Sequence, residues 1–72
     1  MSEFSTEIEY TRRLIDKINN VIDRETTELK YNEQNGNDHA ADTDKNILAV
    51  LKKRLAHYES VLEELELKNM AG

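Results

Sequence analysis
From Ile47 to Leu65 the apolar residues fall at Leu48, Leu51, Leu55, Tyr58, Leu62 and Leu65, with spacings of 3, 4, 3, 4 and 3. That is an unbroken a/d heptad stripe, the pattern of a helix that buries one seam against a partner helix. Ile47 and Val61 widen the stripe on one flank, and Val50 adds a further apolar neighbour. A second stripe occupies the first half of the chain. Ile8, Ile15, Ile22 and Leu29 take one core position of its heptads, and Phe4, Thr11, Ile18 and Glu25 take the other. Leu14 and Val21 broaden this face too, and the pattern weakens after Ile22, where only Leu29 and Tyr31 remain apolar.

Between the stripes lies Asn32-Glu33-Gln34-Asn35-Gly36-Asn37-Asp38-His39, a polar stretch in which Asn35-Gly36 is the natural turn or helix stop. The pattern predicts an all-α chain folded as an antiparallel two-helix hairpin, coiled-coil-like, in a single domain. Helix 1 is expected over about 6–31, a polar turn over about 32–41 around Gly36, and helix 2 over about 42–69. Thr6 with Glu9 forms a capping-box pattern for the first start. Asn37, Asp38, Asp42 and Thr43 are all good N-caps for the second. The later starts leave a long loop, which favours an early start with a frayed tip.

Folding back at Gly36 pairs positions whose numbers sum to roughly 73. Ile22 then meets Leu51, Ile18 meets Leu55, Ile15 meets Tyr58, Thr11 meets Leu62 and Ile8 meets Leu65. Core meets core at every one of these levels, so two independent stripes agree on one turn. The mismatches, Glu25 with Leu48 and Leu29 with Asp44, lie next to the turn, and that end is expected to pack loosely. Pro is absent and Gly occurs only at Gly36 and Gly72, so nothing breaks either helix.

A hairpin of 72 residues buries too little to stand alone: the burial gain and the ordering cost of so short a chain nearly cancel. The surplus apolar positions Leu14, Val21, Ile47, Val50 and Val61 are the expected oligomer interface, closing a dimer into a four-helix bundle or building a higher oligomer. A heterologous partner is the other way to cover them.

Charge and composition narrow the function. Net charge is −5, with 35% of residues charged, which argues against direct nucleic-acid binding. Cys is absent, excluding disulfides and thiolate chemistry. No apolar run approaches a membrane span, and the start at Met1 lacks the features of a signal peptide, so a cytoplasmic location is expected.

Catalytic, cofactor and metal sites are not expected. His39 and His57 are the only histidines, and neither follows a Glu-x-x-His pattern. Asp42-Thr43-Asp44-Lys45-Asn46 imitates the start of a calcium loop, yet Ile47 stands where glycine is needed and Lys53 where the last carboxylate is needed. Asp38, His39, Asp42 and Asp44 read as caps and solvated acids. Nothing fixes Ser60 against His57, so an enzyme is not expected.

Two charged groups remain. Glu59, Glu63, Glu64 and Glu66 sit near the end of helix 2, where acids oppose the helix dipole, and they are the candidate protein-binding residues. Arg12, Arg13, Lys17, Lys52, Lys53 and Arg54 form a middle basic band, the candidate anion-binding residues. The expected function is a small non-enzymatic oligomeric interaction protein, an adaptor or inhibitor acting on another protein. The alternatives are an oligomer that binds or sequesters a small anionic ligand such as a nucleotide between protomers, and an acidic decoy that mimics nucleic acid.

Overall fold
The computed structural model describes residues 3–71. Two helices account for nearly all of them: α1 (Ser5–Gln34) and α2 (Asp38–Ala71). They pack side by side as an antiparallel all-α hairpin, a rod with extents of 54 × 15 × 11 Å. Among the described residues no helix is long and apolar enough to cross a membrane.

The turn is tighter than the 32–41 segment expected from the sequence. Only Asn35, Gly36 and Asn37 separate the two helices. Local bonds explain the gain. The Asn35 Nδ2 and backbone N–H both donate to the Tyr31 carbonyl, at 2.7 and 3.1 Å, and the Asn37 N–H donates to the Asn32 carbonyl at 2.9 Å. Gly36 takes the left-handed φ of 72° that ends the first helix. The second helix therefore starts at Asp38, and the apparent calcium loop 42–46 is continuous helix. At the other end Thr6 lies inside the first turn of α1, whose N-cap position is Phe4 with no side-chain cap bond. The Thr6–Glu9 capping box does not form.

The seam follows the fold-back at Gly36. Asp44 reaches Glu25 and Asn32, which flank Leu29 one turn to either side, so Asp44 comes level with Leu29. The expected loose packing at this end is reversed. Asn32, Ala41, Asp44 and Leu48 are all buried here, with 7, 4, 5 and 6% of their surfaces exposed. Polar residues at core positions pack tightly because they satisfy one another: Asn32 Nδ2 donates to Asp44 Oδ2 at 2.7 Å. At the opposite end Ile8 and Thr11 are buried, and the Thr11 hydroxyl donates to the Glu7 carbonyl at 2.8 Å within its own helix.

The middle of the seam is different. Ile15, Ile18, Ile22, Leu51, Leu55 and Tyr58 are only half-buried. Among the described residues no side chain is fully enclosed. The hairpin is thus closed at both ends and open between them.

Candidate functional site
The two long edges of the hairpin differ in chemistry. In an antiparallel helix pair each flank of one heptad stripe lies beside the like flank of the other. Along one edge, cross-helix ion pairs join Arg12 to Glu66 at 3.3 Å and Lys45 to Glu33 at 3.8 Å. These four residues are exposed or half-exposed, so each pair adds little stability, but both mark the same edge as polar. The opposite edge carries Leu14 and Val21 from α1 and Ile47, Arg54 and Val61 from α2, with Val50 one step further out. Ile47 and Val50 are 38 and 52% exposed. The five expected interface residues therefore share one edge of the molecule, alongside the open middle of the seam.

A shallow groove of about 580 Å³ opens there, with Leu14, Ile18, Leu51 and Tyr58 on its floor and Lys53, Arg54 and His57 on its border. The His57 ring meets Tyr58 edge-on, with centroids 5.4 Å apart. The basic band does not converge around this groove. Arg13 is held by Glu9 at 2.6 Å on its own helix, and Arg12 is on the other edge against Glu66. Lys17 and Lys52 are exposed and do not line it. Only Lys53 and Arg54 of the six candidates come together within one protomer.

The acidic candidates are brought together more fully. Glu59, Glu63 and Glu66 border a groove of about 450 Å³ on the ion-paired edge, near the chain ends. Its floor is Ile15, Leu62, Leu67 and Met70. Glu64 points elsewhere and pairs with Lys68 at 3.3 Å. No family model, curated protein or solved structure matches the chain. What the molecule does has to be read from its own surfaces.

One cluster escaped the sequence. Carboxylate oxygens of Glu25, Glu28 and Asp44 lie within 4.8 Å of one another beside the turn. Glu25 Oε2 is shut from solvent without a partner. Burial pushes the Glu25 carboxyl above its ordinary 4.5, the charges of Glu28 and Asp44 push it further, and a hydrogen bond with Asp44 adds to the rise. Of the tip residues Asp38, His39, Asp42 and Asp44, only Asp44 enters this cluster; the other three are exposed. Glu25 and Asp44 belong to different helices, and each read in sequence as a lapse in its own stripe. Only the register across the hairpin joins them.

Proposed function
We propose that this chain is a non-enzymatic interaction protein that works as a homo-oligomer, a dimer of hairpins closed into a four-helix bundle. The observation that carries the reading is the open middle of the seam, flanked along one edge by Leu14, Val21, Ile47, Val50 and Val61. A second copy suits this face because its pattern reads alike from both ends. Ile47 and Val61 lie seven residues to either side of Arg54, at the level of Ile18 and Leu55. A two-fold axis there sets Ile47 of one copy against Val61 of the other, as an isologous interface requires. Arg54 at the axis would lay its stem along the apolar surface and direct its charge to the rim.

Light scattering behind size exclusion tests this directly. At micromolar concentration the expected mass is about twice the 8.4 kDa of one chain. Val50→Asp places a charge in the closed face and is expected to split or unfold the dimer. A folded monomer that persists at high concentration would overturn the proposal. A second reading draws on the pairing of Lys53 and Arg54 with Tyr58 at the same groove: two copies could hold a small anionic ligand between them. Native mass spectrometry of the purified protein separates the two, since a retained anion adds mass to the dimer.

A further inference from the structure
We infer that the acid-bordered groove near the chain ends docks a basic amphipathic helix of another protein. The inference rests on the reading of the chain as a binding protein and names the class of its partner.

Three features of the groove need an explanation that the fold does not supply. Glu59, Glu63 and Glu66 line up along one side of α2, and of these only Glu66 meets a cation among the described residues, Arg12 at 3.3 Å. Glu59 and Glu63 stand four residues apart and repel each other. Beside them Leu67 is 60% exposed and Met70 82% exposed. The fold of the isolated hairpin gives no reason to place these acids and apolar side chains together.

Their combination defines the occupant. An apolar floor invites the apolar stripe of a helix, and a carboxylate border selects Lys or Arg beside that stripe. Glu66 is paired with Arg12, which does not line the groove, and Glu59 and Glu63 are left for cations from outside. From Glu59 to Met70 the groove runs about 16 Å along α2, the length of about three helical turns. Met70 is an unbranched, adaptable side chain suited to such a surface. The net charge of −5 would speed the encounter with a basic partner. The groove lies on the edge opposite the proposed dimer face, so a dimer presents two of them.

The test uses the full chain and a fluorescein-labelled synthetic helix of about 14 residues, about 21 Å long, with a Leu stripe bordered by Lys. A second peptide carries Glu in place of Lys. Fluorescence anisotropy is expected to show saturable binding of the Lys peptide and none of the Glu peptide. Glu59→Gln with Glu63→Gln should weaken the Lys peptide about tenfold, and Leu67→Ser should do the same. Asp23→Asn with Asp42→Asn removes the same charge far from the groove and should change nothing. Circular dichroism checks the fold; should Leu67→Ser unfold, the paired Gln variant still decides. The inference is overturned if the Lys peptide does not bind, if the distant Asn pair weakens it equally, or if a folded Leu67→Ser binds as the parent does. A change of oligomeric mass in the Gln pair would also overturn it, since the groove would then be a contact between copies. Light scattering on the same samples reports the dimer independently, so failure of the assembly and failure of the groove are told apart.

Discussion
Asn32→Ala isolates what holds the turn end closed. The Asn32 side chain is 7% exposed and the Asp44 side chain it serves is 5% exposed, with 2.7 Å between donor and acceptor. A hydrogen bond to a charged acceptor contributes about 1.5–3 kcal/mol, and an orphaned buried group costs a similar amount. The orphan here is a carboxylate that already has Glu25 and Glu28 within 4.8 Å. The loss should therefore fall in the upper part of the range, about 2–3 kcal/mol. Urea unfolding followed by far-UV circular dichroism measures it, at one fixed protein concentration because the proposed dimer would make stability depend on concentration. With a slope of about 1 kcal/mol per M, the lower end of the usual range, the midpoint should fall by about 2–3 M. A control removes both partners: Asn32→Leu with Asp44→Leu leaves no orphan and should return to within about 1 kcal/mol of the parent. An Asn32→Ala variant within about 0.5 kcal/mol of the parent at unchanged slope would refute the reasoning. The polar residues at the turn would then be solvated, and the end loose.

Three further outcomes are expected. Leu48→Ala, at a site 6% exposed, should cost about 2–5 kcal/mol in the same urea assay, whereas Leu67→Ala, at 60%, should stay within about 0.5 kcal/mol. Glu25→Gln should raise the unfolding midpoint at neutral pH. The folded-state pKa of Glu25 is raised, so its favourable contribution is full below 4.5 and lost as pH rises through the folded value. The gain from Gln should accordingly shrink on acidification, and a gain constant with pH would show that the fold does not raise the Glu25 pKa. Gly36→Ala should cost about 1–2 kcal/mol from backbone conformation alone, because φ is 72° and no atom lies within 4 Å of the added Cβ. Gly36→Asn should cost less, which thermal melts of the two variants would show.

The hairpin was legible in the sequence because two heptad stripes of independent composition agree on a single turn. That Leu14, Val21, Ile47, Val50 and Val61 share one edge was legible for the same reason: they exceed what a two-helix seam uses, and heptad geometry places them on like flanks. The turn was read too wide because Asn37, Asp38, Asp42 and Thr43 are all residues that cap helices, and residue types give no sign that Asn32 and Asp44 bond across the seam. The acidic group was legible as a group but not in its division. Glu59, Glu63 and Glu66 follow one side of α2, while Glu64 is turned away toward Lys68. The basic band looked continuous along the sequence, yet its members point around the helices, and Glu9 and Glu66 occupy two of them.

The position of the Asn32–Asp44 bond also bears on how the chain reaches its fold. Its partners are 12 residues apart, whereas Arg12 and Glu66 are 54 apart. Closing the longer loop from the open chain costs about 1.3 kcal/mol more in entropy than closing the shorter one. The turn end is therefore the cheapest place to begin, and each contact formed there shortens the loop that the next must close. A hairpin built this way assembles as a zipper, from Gly36 outward to the ends, and its first tooth is polar. Substitutions at Asn32 should slow refolding, while those at the Arg12–Glu66 end should chiefly hasten unfolding.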